Sequence, residues 1–153
     1  DVSANTVLTH LNCLNNQLTS LDVSANTALN WLGCSGNLLT SLDVSSNTAL
    51  TYIFCGGNQL TSLNISAVLI SLDCNYNQLT SLDVSANTAL KYLNCDNNLL
   101  TSLDVRNGNN SNMVMPNATF NPNLTCIYVD DKKAAYLSNW RKDDIQKIRR
   151  RYH

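Results

Sequence analysis

The chain contains no glutamate, and only two of its 153 residues are histidines, one of them the last residue. Its eleven acidic residues are therefore all aspartates. Asp73 and Asp96 do not form an evident acid pair with separated pKa values. The pair Gly56-Gly57 lacks the surrounding residues of a phosphate-binding loop. We therefore expect no enzymatic activity and no cofactor.

Long apolar runs are also missing, since none approaches the roughly 20 residues of a membrane-spanning helix. No signal peptide is recognisable, but the chain begins with DVSANT, which lies in the middle of a repeat. We therefore expect this chain to be part of a longer protein. Its 24 asparagines favour turns over helix interiors and argue against a helical bundle.

Charge is unevenly distributed, although the net charge is only −1. Residues 1–131 carry nine aspartates against Lys91 and Arg106, a net charge of −7. Residues 132–153 carry eight Lys or Arg residues against two aspartates, a net charge of +6. The acidic part argues against nucleic-acid binding. The basic end is interpreted as a solvated tail, with a patch for an anionic partner as the alternative.

A unit of 21 residues recurs along the chain, with the pattern N-T-A-L-x-x-L-x-C-x-x-N-x-L-T-S-L-D-V-S-A. The five clear copies are Asn5–Ala25, Asn26–Ser46, Asn47–Ala67, Val68–Ala86 and Asn87–Asn107. The fourth copy lacks the Asn-Thr pair and is two residues shorter. A decayed sixth copy follows in residues 108–129, with Ala118 at the cysteine position. This period and this spacing of leucines are typical of leucine-rich repeats.

Apolar and polar residues alternate within each unit as they do in a strand. Leu11 and Cys13 are predicted to point inward, and His10, Asn12 and Leu14 outward. Equivalent strands then stack in parallel, about 4.8 Å apart, and each coil adds one layer to the core. We predict a leucine-rich-repeat solenoid of the α/β horseshoe class, mostly β with few helices, with a parallel concave sheet of about six coils.

One asparagine per unit follows the predicted strand, where the chain must turn. Its side-chain amide can satisfy backbone groups that the turn leaves free. We predict this structural role for Asn16, Asn37, Asn58, Asn77 and Asn98.

One cysteine per unit occupies an inward strand position, and these residues are Cys13, Cys34, Cys55, Cys74 and Cys95. Side chains in register are roughly parallel and about 4.8 Å apart, which is unfavourable for disulfides. A straight row of sulfurs cannot surround a metal tetrahedrally, and no histidine repeats beside the thiols as a base. We predict a buried, reduced cysteine ladder and no metal. Cys126 stands apart, and its redox state stays open.

The unit LxxLxCxxNxLTSLDVS resembles the cysteine-ladder repeats of the internalin J-like bacterial proteins, and those of secreted Bacteroidetes-type repeat proteins. The latter often end in a segment similar to NPNLTCIYVDD followed by a tryptophan, as in Leu124–Trp140 here. The resemblance covers residues 1–140. It implies a secreted or cell-surface bacterial protein that recognises or adheres to a ligand.

The chain divides into a solenoid over residues 1–129 and a C-terminal cap and basic tail over residues 130–153. Acids precede the helix-forming stretch KKAAYLSNWRK, which predicts a short helical cap. Tyr136, Leu137 and Trp140 share one face of that helix and are expected to lie over the sixth coil.

Aromatic residues cluster at the outward positions of the predicted strands. Trp31, Tyr52 and Tyr92 fall in one row, Phe54 lies beside them, and Asp73 and Asn94 are nearby polar residues. Rings with adjacent amides and carboxylates suit sugar rings or peptide segments. We predict that these six residues bind a protein or carbohydrate ligand. The alternative is that the rings stabilise strands and that the chain is a structural spacer or an accessory domain of a larger protein.

Overall fold

The computed structural model describes residues 1–114, 116–143 and 147–149, and these form a stack of coils with parallel strands. The predicted fold class is confirmed: the chain is a leucine-rich-repeat-like solenoid of about six coils with very little helix. The strands are β1 (His10–Asn12), β2 (Trp31–Gly33), β3 (Ser41–Asp43), β4 (Tyr52–Phe54), β5 (Ser62–Asn64), β6 (Ser71–Asp73), β7 (Ser81–Asp83), β8 (Tyr92–Asn94), β9 (Ser102–Asp104), β10 (Cys126–Tyr128) and β11 (Lys147–Arg149).

The front sheet consists of β1, β2, β4, β6 and β8, one strand from each of the first five coils. All of its pairs are parallel and in register, so that Tyr52 lies between Trp31 and Ser71. Isolated bridges from Asn94 to Asn117 and from Asn117 to Arg141 continue this row. Because these strands pair in register, equivalent residues of successive coils meet at the same height in the sheet.

The rear strands form a pair, β3 with β5, and a separate group in the order β11, β10, β9, β7. The break between β5 and β7 falls at the fourth repeat, which lacks the Asn-Thr pair. Leu63 and Ile65 at this break are only partly buried, whereas Leu42 and Val44, at the same positions of the second coil, are buried. Shortening the coil therefore leaves the front sheet continuous and opens the rear.

The core is a column of aliphatic side chains. Leu29, Leu32 and Leu39 of the second coil are fully buried, and so are their equivalents in the third to fifth coils, apart from Leu93, which is almost fully buried. Leu11 and Leu18 of the first coil are only partly buried, since a neighbouring coil covers one side of them and not the other. Each layer thus depends on its neighbours.

Buried asparagines connect successive coils. The Asn58 side-chain amide donates to the carbonyl of Cys55 in its own coil at 3.0 Å and to that of Cys34 in the preceding coil at 3.1 Å. Its Oδ1 atom accepts from the N–H of Leu39 at 3.0 Å. Asn37, Asn77, Asn98 and Asn121 make the same three kinds of bond. Asn121, in the decayed sixth repeat, was not predicted to belong to this ladder.

A second asparagine ladder, absent from the sequence analysis, lies in the turns that open each repeat. The amide of buried Asn47 donates to the carbonyls of Val23 and Asn26, both at 2.9 Å. Asn26 and Asn87 are equivalent, and Asn87 donates to the carbonyl of Ser66 at the end of the third repeat. The signal was present in the sequence, because Asn-Thr begins four of the five clear units.

The repeated cysteines lie in one line behind the front sheet, and all six cysteines are unpaired. Cys34, Cys55, Cys74 and Cys95 are fully buried. Burial raises the pKa of Cys34 and of Cys95 to about 12. Cys13 is only partly buried, which differs from the expectation of five buried thiols, because no coil covers the outer side of the first one. Cys126 is a partly exposed free thiol on β10.

The C-terminal region differs from the expected helical cap, which is not confirmed. Its described residues include one 3₁₀ helix, Ala135–Asn139, and the strand β11, which pairs with β10. Trp140 follows the helix and is buried against the core. The region therefore continues the coil pattern, while the boundary between residues 129 and 130 stays a prediction. The last four residues of the basic tail, 150–153, lie outside the described residues.

The first asparagine ladder can be tested with Asn58→Ala. The substitution leaves the buried N–H of Leu39 without its partner and removes one of two donors from each of two carbonyls. We expect the free energy of unfolding in urea to fall by about 2–4 kcal/mol. Asn16→Ala is the matched control, since exposed Asn16 donates only within its own turn, and it should cost less than about 1 kcal/mol. Equal losses would contradict the ladder.

The thiols can be counted by titration with a colorimetric disulfide reagent. We expect the four fully buried thiols to remain unreactive in the folded protein, Cys13 and Cys126 to react, and all six to react in denaturant.

Stability at alkaline pH gives a second test of thiol burial. Because the pKa of Cys34 is about 12 in the folded state, unfolding releases thiol protons as the pH rises past the ordinary value of about 8.5. The thiols should therefore leave stability unchanged between about pH 6 and pH 8 and lower it steadily above about pH 8. A stability that is unchanged up to about pH 11 would contradict this burial.

Candidate ligand-binding surface

Outward side chains of the front sheet form two columns, with neighbours about 4.8 Å apart along each. The first column contains His10, Trp31, Tyr52, Ser71 and Tyr92. The second contains Asn12, Gly33, Phe54, Asp73, Asn94, Asn117 and Arg141. The six predicted ligand-binding residues all belong to these columns, because strand alternation places every second residue on the same face.

Trp31 lies across the backbone of Gly33. A Cβ atom at Gly33 would be 2.4 Å from the Cη2 atom of the indole, so only glycine leaves room for the ring in this position. The indole also packs against Phe54, with ring centroids 5.6 Å apart and planes inclined by 39°. Trp31 therefore has intramolecular partners, which agrees with the alternative role of covering neighbouring strands.

A notch interrupts the first column at Ser71, which has a small, buried side chain between Tyr52 and Tyr92. We call this depression, of about 350 Å³, the front-sheet notch. Phe54 and Tyr92 lie on its two sides, one strand before and one strand after β6. The strands carrying these rings are about 10 Å apart, which is two strand spacings.

Four of the six predicted residues, Phe54, Asp73, Tyr92 and Asn94, line the front-sheet notch. Trp31 and Tyr52 lie further along the same face and are not part of its lining. Tyr92 is 49% exposed and is therefore open to a ligand.

Polar groups in the front-sheet notch are incompletely satisfied by the protein. Asp73 Oδ1 accepts a hydrogen bond from the backbone N–H of Asn75 at 3.2 Å. Burial raises the pKa of Asp73, while hydrogen bonds from Asn75 and Asn94 act in the opposite direction. The Oδ1 atom of Asn94 is buried and has no hydrogen-bond partner. Unpaired buried groups of this kind are uncommon and costly, and Asn26 and Asn47 of the second asparagine ladder carry such oxygens as well.

Sequence reasoning missed Val114, Asn117 and Arg141, which complete the lining. Asn117 could have been found by aligning NATFN with the strand and turn of the fifth unit. Arg141 had been placed in a helical cap, but its backbone N–H donates to the carbonyl of Pro116 at 2.9 Å and its carbonyl accepts from Ala118 at 2.8 Å. No repeat motif marks residues 130–149, so the sequence offered no signal for this position.

Two further exposed rings lie at the turn after the front strands. Tyr76 and Phe120 occupy a left-handed backbone position, with φ of 48° and 55°, where the second and third coils carry Gly36 and Gly57. They are 60% and 66% exposed. Bulky residues rarely adopt this conformation.

Neither a protein-family model nor a curated protein matches this chain. Among solved structures, it is similar to the functional domain of InlJ from Listeria monocytogenes, which includes a cysteine ladder. The TM-score is 0.71 and the sequence identity 34%. The match covers 99% of this chain and 33% of that chain, so this chain spans about a third of its length.

A cysteine stands at the same place in five successive coils here, and four of the five are fully buried. The chain is an internalin-like repeat protein. The front-sheet notch of this internalin-like chain lies on the sheet directly in front of its cysteine ladder, since β6 ends next to Cys74 and β8 next to Cys95.

Within residues 1–114, 116–143 and 147–149, no group of three His, Cys, Asp or Glu side chains is arranged to hold a metal ion. The helices in this described part are too short to cross a bilayer. A larger cleft of about 550 Å³ lies at the rear break between β5 and β7. Its lining is made of short polar and aliphatic residues and contains no ring.

Gly33→Ala tests the arrangement of Trp31. The new methyl group overlaps the indole, so the ring should swing away from Phe54 and become more exposed. We expect a red shift of tryptophan emission with a melting temperature lowered by only a few degrees, since the end of a side chain can move. Gly56→Ala is the control, because its methyl group would meet the side chain of Asn75 instead. An unchanged emission spectrum in Gly33→Ala would contradict the contact.

Proposed function

We propose that this chain is a non-enzymatic recognition module of a secreted or cell-surface bacterial protein, and that it binds a protein or carbohydrate ligand through the front sheet. The observation that carries this proposal is the front-sheet notch. Phe54 and Tyr92 flank the notch, and the side-chain oxygen of Asn94 has no hydrogen-bond partner. The carboxylate of Asp73 is partly buried in the notch, and this burial raises its pKa. Rings that flank unsatisfied polar atoms are typical of ligand sites.

Trp31 and Tyr52 extend this surface along the first column. They would contact a ligand longer than the notch itself, since they precede Ser71 by two strands and one strand. Asp73 and Asn94 would set the orientation of the ligand through hydrogen bonds. The similarity to a domain of a longer protein supports a role within a longer chain and a location at the cell surface or outside the cell.

A structural spacer is the second candidate function. It is favoured by the packing of Trp31 on Gly33 and Phe54, which accounts for two of the rings without a ligand. It does not account for Tyr92, which is 49% exposed.

Tyr92→Ala separates the two functions. Fluorescently labelled protein would be applied to a glycan array and to a peptide array, with Phe120→Ala as a control that removes an exposed ring outside the front-sheet notch. We expect ligands bound by the unmodified protein to bind Tyr92→Ala at least tenfold more weakly, because an aromatic residue at the centre of an interface contributes about 2 kcal/mol or more when it is a hot spot, and tenfold corresponds to about 1.4 kcal/mol. Phe120→Ala should bind normally. Both variants should keep the melting temperature within a few degrees.

A spacer gives a different result. The unmodified protein would then retain nothing on either array. Ligands that bind Tyr92→Ala as strongly as the unmodified protein would instead exclude the front-sheet notch as the binding surface.

A further inference from the structure

The front-sheet notch contains a carboxylate that the protein does not neutralise. Asp73 lies between Phe54 and Asn94 in the second column. Among the described residues, the one ion pair joins Arg106 to Asp104, which is on the rear of the coil. Arg141 lines the other end of the notch. It is three strand spacings from Asp73, or about 14 Å, so it does not neutralise this carboxylate.

The surrounding charge also favours a cation at this end. Residues 1–131 carry a net charge of −7. Asp96, in the turn after β8, is close enough to disfavour ionisation of Asp73. Carboxylates that are close together and lack cations raise the local concentration of positive groups and speed their approach.

The two rings suit the rest of a basic side chain. Phe54 and Tyr92 lie one strand to either side of Asp73, and Ser71 leaves the space between them open. A lysine or arginine side chain can pack its methylene groups on such rings while its charged end meets both a carboxylate and the ring faces.

We propose that the front-sheet notch binds a lysine or arginine side chain of a protein partner, with Asp73 as the residue that pairs with the cation. This inference rests on the proposed function and narrows its ligand from protein or carbohydrate to protein. A neutral carbohydrate offers hydroxyl groups for stacking and hydrogen bonding but no charge to match Asp73.

Asp73 carries a stability cost that fits a binding role. Burial raises its pKa in the folded protein. In the folded state Asp73 therefore stays protonated to a higher pH than in the unfolded state. The free energy of unfolding falls as the pH rises from the pKa of Asp73 in the unfolded state to its pKa in the folded state. A cation bound in the notch reverses this effect by favouring the charged form. Asp73→Asn keeps an acceptor for the N–H of Asn75, and at neutral pH its melting temperature should equal or exceed that of the unmodified protein.

The test is selection from a phage-displayed library of random linear peptides. Three proteins are used: the unmodified chain, Asp73→Asn, and Asp43→Asn. The last removes one charge from the rear strand β3 and is the matched control. We expect peptides selected by the unmodified chain to share a Lys or Arg. A selected peptide, synthesised and measured by calorimetry, should bind Asp73→Asn at least tenfold more weakly and Asp43→Asn within twofold. Replacing its basic residue by glutamine should cause the same loss.

A pH series adds a readout specific to the carboxylate. Affinity for the selected peptide should fall on acidification at a pH above the ordinary aspartate value of about 3.9, since the pKa of Asp73 is raised. The charged or titratable groups around it are Asp96, Tyr92, Arg141 and the thiols of Cys55, Cys74 and Cys95. Asp73→Asn removes this carboxylate and leaves the other groups in place, so the decrease should be absent in that variant.

The outcomes separate this inference from the proposed function. Three results would contradict the binding of a basic side chain and would leave the recognition function standing. They are selected peptides without a basic residue, equal affinity of a selected peptide for Asp73→Asn, and binding of glycans alone. An unmodified chain that retains neither peptides nor glycans would overturn the recognition function itself. A melting temperature of Asp73→Asn several degrees below that of the unmodified chain would make Asp73 a structural residue and overturn its binding role.

Discussion

The side-chain amide of one buried asparagine in each of the second to sixth coils is the interaction on which the rest of the molecule depends. It joins the turn of its own coil to the backbone of the coil before it, through two donated bonds and one accepted bond. A turn in every repeat would otherwise bury backbone groups without partners, which is costly. Because each amide needs the next coil in register, the ladder makes stability a property of neighbouring coils.

The front strands keep their register even where the rear of a coil changes. The fourth repeat loses its Asn-Thr pair without disturbing the front sheet, because Asn77 still bonds to the third coil. The loss appears at the rear, where β5 and β7 do not pair. The same repeat carries Ser71 where its neighbours carry tyrosine, so the irregular coil is also the one that opens the front-sheet notch.

The cysteines and the outward residues of the front sheet have opposite roles. The thiols are small, buried and hard to ionise, and they act as packing groups that let the strand side of each coil lie close to its neighbours. Asp73 is an acid kept partly buried without a cation, and Asn94 carries an oxygen without a partner. Polar groups held in this way cost stability, and such costs are commonly found at functional sites.

The sequence by itself determined the solenoid, its period, the inward cysteines and the outward position of Phe54, Asp73, Tyr92 and Asn94. These follow from strand alternation and a fixed repeat, which are local properties of the chain. Only the tertiary structure decided that Trp31 packs on Gly33, that Cys13 is partly exposed, and that Arg141 continues the second column in place of a helical cap. Those features depend on which coil lies next to which, and residues 130–153 contain no repeat from which that could be read.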